Sequence, residues 1–180
     1  MFAYAAAEGV QLRLDGTETQ VRRPRANRAG RRAFVSGKKK QNTIKTTTVS
    51  DGHGRTLWAG AVRPGRMHDQ TAVKPEGIQD LLRQHPTVTA TVDAGYQGLA
   101  KAFGDQVHAP PKPSKNAPAE QIGVYEAARK QQSSRRICVE HAIAEPKQWR
   151  SLQRWIGRRD YYAQAHLAVA GLVSDRAARR

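Results

Sequence analysis

Val10-Gln11-Leu12-Arg13-Leu14-Asp15-Gly16-Thr17 decides the fold. Apolar and polar residues alternate from Val10 to Leu14, which predicts a half-buried strand, and the strand runs directly into an acid. A second β-rich run, from Thr87 to Val92, ends the same way, at Asp93-Ala94-Gly95-Tyr96. A third acid, Glu140, lies in a helical stretch predicted from Ser134 to about Trp155 and bent at Pro146. Oxygen ligands gathered from separate elements suit Mg²⁺, a hard cation that prefers carboxylates and water.

Between these acids the chain alternates strands and helices. Asn42 to Val49 is rich in Thr, Ile and Val and predicts a strand; Asp51-Gly52-His53-Gly54 is a turn signal; Thr56 to Val62 returns as the next strand and closes at Pro64-Gly65. Thr71 to Arg83 predicts a helix with Val73, Ile78, Leu81 and Leu82 as its apolar face, although Pro75 and Gly77 delay its start to near Glu76. A short helix around Leu99–Phe103 and a strand at Gln106–Ala109 follow. Pro110 to Pro118 reads as an extended linker, Ala119 to Lys130 as helical, and Tyr161 to Arg176 as a final amphipathic helix on Leu167, Val169, Leu172 and Val173. Three early strands, then strands that follow helices, favour a mixed sheet with helices packed on it. The expected organisation is a short segment 1–11, a catalytic domain over 12–156, and a C-terminal helix over 157–180 packed on that domain.

The bulk of the chain is cationic. Its 180 residues carry a net charge of +16, and hydrophobic residues make up 38%. Such a surface attracts polyanions, with DNA or RNA the expected partner and a generic basic protein, such as a ribosomal one, the alternative. Arg22, Arg23, Arg25, Arg28, Arg31, Arg32, Lys38, Lys39 and Lys40 form a basic run expected to be extended or a loose hairpin, too positive to pack, and to contact phosphates. Cys138 is the only cysteine, which excludes an intrachain disulfide and a cysteine-based zinc site. No apolar run approaches a membrane span, and the first residues lack the features of a signal peptide, so the expectation is a cytoplasmic, nucleoid-associated protein without a membrane.

The chain resembles bacterial insertion-sequence transposases of the DDE superfamily, in the branch related to the Harbinger elements. The stretches that carry the likeness are Leu14-Asp15-Gly16-Thr17, a basic run with Ser36-Gly37-Lys38-Lys39, Pro64-Gly65-Arg66-Met67-His68-Asp69, Asp93-Ala94-Gly95-Tyr96-Gln97-Gly98, and Arg136, Glu140 and Lys147. They stand in the family's order over roughly residues 12–152. The resemblance implies an α/β, ribonuclease-H-like fold with a mixed five-stranded sheet flanked by helices. It implies Asp15, Asp93 and Glu140 as catalytic, metal-binding acids for two Mg²⁺ ions, with Mn²⁺ able to substitute. The implied reaction is phosphodiester hydrolysis followed by strand transfer on double-stranded DNA, at transposon ends and target, by molecules that self-associate on DNA. Ser133 stands where related transposases often carry a tyrosine, and the helical region that usually precedes the first catalytic strand is not seen ahead of Asp15. A non-mobile nuclease of the same fold, or an inactive DNA-binding remnant of a truncated element, are the alternatives.

Helical spacing puts Arg136 and Lys147 on nearly the same face as Glu140, with Lys147 about 10 Å further along the axis. That stripe suits a metal ligand between two phosphate-binding cations, or an ordinary ion pair on a solvated helix. With the basic residues Arg22, Arg23, Arg25, Lys38, Lys39 and Lys40, Arg136 and Lys147 complete the expected DNA contacts. His68 and Asp69 are candidates for site support. Asp69 also suits a helix N-cap, and that reading is the preferred one. Trp149, Trp155, Tyr161 and Tyr162 are expected in the core.

Overall fold

The computed structural model describes residues 1–25, 30–111, 118, 122–128, 130–131, 144 and 146–178. Strand β1 spans Leu12–Val21 and occupies the middle of the sheet. β2 (Thr43–Ser50) runs antiparallel beside it, with Asp15 opposite Thr48 and Glu18 opposite Lys45. β3 (Thr56–Ala59) returns antiparallel to β2 through the expected turn, where Asp51 Oδ1 accepts from the His53 and Arg55 amides at 3.0 and 2.9 Å. On the other side of β1, β5 (Ala90–Thr91) is parallel, and β6 (Val107–His108) is parallel to β5. Backbone bonds lengthen that pairing: the Leu12 amide donates to Thr89 O at 2.9 Å and the Val92 amide to His108 O at 3.0 Å.

Among the described residues the sheet has seven strands. Five form the continuous path β3-β2-β1-β5-β6; β4 (Arg63–Pro64) is added against β2 and β7 (Arg154–Trp155) against β1. The additional strands have two residues each, too few for an alternation to be read from sequence.

Because a strand sends alternate side chains to opposite faces, β1 builds two different layers. Leu12 and Leu14, with Val49 of β2, pack against Val73, Ile78, Leu82, Tyr96 and Leu99. Helix α1 (Phe2–Glu8) closes this core with Phe2 and Ala5. Each such fully buried Leu or Phe contributes about 1.5–3 kcal/mol. The opposite face is rich in hydroxyls: Thr17, Thr19, Thr46, Thr48 and Ser50 are buried there. It is covered by the short helix Arg150–Gln153 and the terminal helix Tyr162–Ala178, through Leu152, Tyr162, Val169 and Val173. Thr19 Oγ1 joins the two layers, donating to Leu152 O at 3.1 Å and lying 2.7 Å from the Tyr162 hydroxyl.

Several expectations are corrected here. The helix expected over 71–83 is three pieces: α2 (Asp69–Val73), a 3-10 turn at Lys74–Glu76, and α3 (Ile78–Gln84). Pro75 and Gly77, the latter at φ 69°, break the run. In the described part of the helix expected to reach Trp155, the run breaks at Gln148–Trp149, resumes as Arg150–Gln153 and then becomes β7, with Trp155 opposite Val21. Within the basic run, residues 31–41 are folded rather than loose, while Arg22, Arg23 and Arg25 are exposed outside any strand or helix. Arg31–Phe34 form a 3-10 turn, and Ser36 to Gln41 close a tight loop in which the Ser36 amide donates to Gln41 O at 2.9 Å. Trp149 and Tyr161 are exposed, whereas Tyr162 is buried.

The terminal helix buries Tyr162, His166, Val169, Ala170 and Val173, and leaves the expected Leu167 and Leu172 more than half exposed, at 54% and 56%. His166 stacks on Tyr162 with ring centroids 5.7 Å apart, and neither of its nitrogens has a hydrogen-bond partner among the described residues. Burial holds its pKa below the ordinary histidine value of 6.5. The unfolded chain therefore binds a proton near pH 6.5 that the folded chain resists, and stability falls as the pH drops below about 6.5. His166→Phe keeps the ring stack and removes two unsatisfied nitrogens. Thermal melts should show this variant about 2–4 °C more stable at pH 7, with a shallower loss between pH 6.5 and 5. A lower melting temperature would mean that the imidazole is bonded after all.

Candidate active site

β1 and β5 bring two of the expected acids side by side. Leu12 is opposite Ala90 and Arg13 opposite Thr91 in parallel register. Continuing that offset (15 − 12 = 3 and 93 − 90 = 3) sets Asp15 and Asp93 level on neighbouring chains. Strand alternation sends the Asp15 carboxylate to the side of Arg13 and Thr17, while Asp93 follows β5 and caps the next turn.

Each acid is aimed by the glycine of its own motif. The Gly16 amide donates to Asp15 Oδ1 at 2.7 Å. The Gly95 amide donates to Asp93 Oδ1 at 2.8 Å, where Asp93 caps the 3-10 turn Ala94–Tyr96. These charge-assisted bonds fix one oxygen of each carboxylate.

Asp69 is not a cap, as sequence had favoured. His68 occupies the N-cap position without a side-chain bond, and Asp69 is the first residue of α2. The Asp69 carboxylate turns to the buried ammonium of Lys45, with Nζ–Oδ1 at 2.7 Å. Lys45 also donates to Met67 O at 2.8 Å and lies 3.6 Å from Glu18 Oε1. Nothing in the Thr-rich strand 43–50 singles out Lys45 from sequence, because its partners are long-range.

Tyr96 lies beneath these acids, fully buried. Burial first, and then the negative charges of Asp69, Asp15 and Asp93, push its phenol pKa up. The Thr47 hydroxyl opposes that shift without completing a well-aligned hydrogen bond. The phenol therefore stays protonated and senses the combined field of three carboxylates.

A rim of cations adjoins the acids. Lys147 is half-buried and lines a small cavity with Pro146, Thr17, Thr48 and His166. Its ammonium pKa is lowered by burial first and by Lys39 and Lys38, while Asp15 and Glu18 oppose the shift. Lys39 donates to Glu18 O at 3.2 Å, which brings the 36–41 loop to β1. Lys38 and Lys40 are exposed beside it, and Arg22, Arg23 and Arg25 are exposed just beyond the end of β1. His68 is exposed next to Asp69. Glu140 and Arg136 lie outside the described residues. Among the described residues no three carboxylate, imidazole or thiol groups converge into a metal-binding set. No helix among them is long and apolar enough to cross a membrane.

A search of curated proteins and a search of solved structures return no match to this chain. The family model described as DDE superfamily endonuclease matches residues 14–173, which takes in Asp15, Asp69, Asp93 and Lys147. A match of that extent, over a mixed sheet with two level acids, establishes that the chain belongs to the DDE superfamily endonucleases.

Proposed function

We propose that this chain is the catalytic domain of a DNA transposase, which hydrolyses phosphodiester bonds at transposon ends and joins the freed 3′ ends to target DNA. The observation that carries the proposal is the pair Asp15 and Asp93, level on adjacent parallel strands and each oriented by a glycine amide.

The donor set fits divalent magnesium, with manganese as a substitute. Both acids offer hard oxygens, the cation ligands that Mg²⁺ prefers. Burial first, and then the charges of Asp69, Asp15 and Asp93, raise the Tyr96 phenol pKa, so three carboxylates act on one buried point, as acids around a divalent ion would. Asp15 and Asp93 would hold the ions, and Glu140 is proposed as the third ligand. When bound, Mg²⁺ supplies an activated water or 3′-hydroxyl and a Lewis acid for the leaving oxygen. The chain's own residues do the rest. Asp15 and Asp93 keep fixed orientations through Gly16 and Gly95. Lys147, Lys38 and Lys39 face the phosphate backbone, and Arg22, Arg23, Arg25, Lys40 and Arg136 extend that contact, so that the scissile phosphate is held over the acids.

Incubation of the full chain with labelled duplex DNA, Mg²⁺ and a target plasmid tests this reading. Nicks ending in 3′-hydroxyls together with strand-joined products are the expected result. Nicks without joining would favour a non-mobile nuclease, and binding without nicks a DNA-binding remnant.

Affinity for DNA should be strongly salt-dependent. Each phosphate neutralised contributes about −0.9 to the slope of log affinity against log salt. The double variant Lys38→Ala/Lys39→Ala should flatten the slope by about 1.8. An unchanged slope in fluorescence anisotropy titrations would remove the 36–41 loop from the interface.

A further inference from the structure

We infer that Asp69, anchored by Lys45, is a positioning residue that sets both site acids through the backbone glycines behind them; this rests on the proposed function of Asp15 and Asp93 as metal-holding acids. The geometry has three parts. First, Asp69 is wedged between the two motif glycines. A methyl group built on Gly16 would stand 2.6 Å from Asp69 Oδ1, and one built on Gly95 would stand 2.8 Å from Asp69 Oδ2. One carboxylate thus touches both glycines, an oxygen to each, at distances that no side chain tolerates. Second, those same glycines are the donors that aim Asp15 and Asp93. Third, the wedge is itself fixed, because Lys45 binds Asp69 Oδ1 and Met67 O at once.

Asp69 stands behind Asp15 but close beside Asp93: a methyl on Gly95 would meet Asp69 Oδ2 at 2.8 Å and Asp93 Oδ1 at 3.0 Å. Gly16 faces the layer of Leu14 and Glu18, whereas the Asp15 side chain leaves the sheet on the other face. Contact with Gly16 therefore puts Asp69 on the far side of β1 from the Asp15 carboxylate. The Lys45 ammonium neutralises Asp69 there, so the wedge adds little repulsion between the two site acids. This arrangement also gives a reason for glycine in Asp15-Gly16 and in Asp93-Ala94-Gly95: both positions must be flat for a single carboxylate to span them.

The test compares Asp69→Ala, which removes the wedge, with Asp69→Asn, which keeps its shape and still accepts from Lys45. Two readouts are taken on the full chain. Amide exchange at Gly16 and Gly95, followed by NMR without metal, should accelerate at least about tenfold in Asp69→Ala and little in Asp69→Asn. Mn²⁺ affinity, measured by calorimetry, should fall about 10- to 100-fold in Asp69→Ala and stay within about threefold in Asp69→Asn. Unchanged exchange at both glycines in Asp69→Ala would overturn the inference. Mn²⁺ binding lost as fully in Asp69→Asn as in Asp15→Ala would also overturn it, because Asp69 would then be a ligand. If the unaltered chain binds no Mn²⁺, the metal reading of the site fails, while amide exchange still decides the role of Asp69.

Discussion

Asp15→Ala and Asp93→Ala will each abolish Mg²⁺-dependent nicking, with a fall of at least about 10³-fold, or about 4 kcal/mol in barrier. The expectation follows from the small number of donors. With Asp15 on β1 and Asp93 just after β5, losing either removes one of the two acids that these neighbouring segments contribute. Among the described residues the nearby carboxylates are otherwise held: Asp69 is engaged by Lys45, and Glu18 accepts from Thr43 at 3.1 Å. DNA affinity should stay within about threefold or tighten slightly, since a negative charge is removed beside Lys147 and Lys39. Asp80→Ala is the control, because Asp80 pairs only with Arg83 on the exposed side of α3 within the described residues. Gel assays that found either site variant within tenfold of the unaltered chain would move the chemistry elsewhere.

Gly65→Ala should be the most damaging single methyl in the fold. Gly65 follows β4, and its amide donates to Thr43 O at 2.9 Å. A methyl there would come 2.7 Å from that same carbonyl, and closer still to the Thr43 hydroxyl. Thr43 cannot yield cheaply. It is fully buried, begins β2, and its hydroxyl donates to Glu18 Oε2 at 3.1 Å. Relief therefore means parting β2 from β4 or breaking the Thr43–Glu18 bond. A cost of about 3 kcal/mol is expected, seen as a melting temperature about 6–12 °C lower. Gly37→Ala, where a methyl meets nothing within 4 Å, should shift the melt by no more than about 2 °C. Equal melts for the two variants would show that the contact at Thr43 relaxes freely.

What sequence revealed was local, and what it concealed was long-range. β1 was legible because Val10 to Leu14 alternate, and the β2–β3 turn because Asp51 bonds its own neighbours. The delivery of Asp93 by a β-branched run was legible for the same reason. Asp69 was misread as a cap because a cap is the local explanation, and its actual partner Lys45 is distant in the chain. Nothing local in the sequence showed that Gly16 and Gly95 lie against one carboxylate, which leaves no room for a side chain at either. The face of the terminal helix was half legible. Hydropathy chose Leu167, Val169, Leu172 and Val173, of which Val169 and Val173 are buried, while packing on the hydroxyl-rich layer replaced the two leucines by Tyr162, His166 and Ala170. A polar layer accepts a histidine where an apolar one would demand leucine.

The parallel pairing of β1 with β5 has a consequence for biosynthesis. β1 and β2 pair antiparallel, so they can dock early, but Asp93 reaches its place beside Asp15 only after the ribosome has made the intervening chain and it has folded back. Such high-contact-order closure comes late in folding. A nascent or prematurely terminated polypeptide shorter than 93 residues would therefore own the first acid without the second, and the pair would form only in a longer chain.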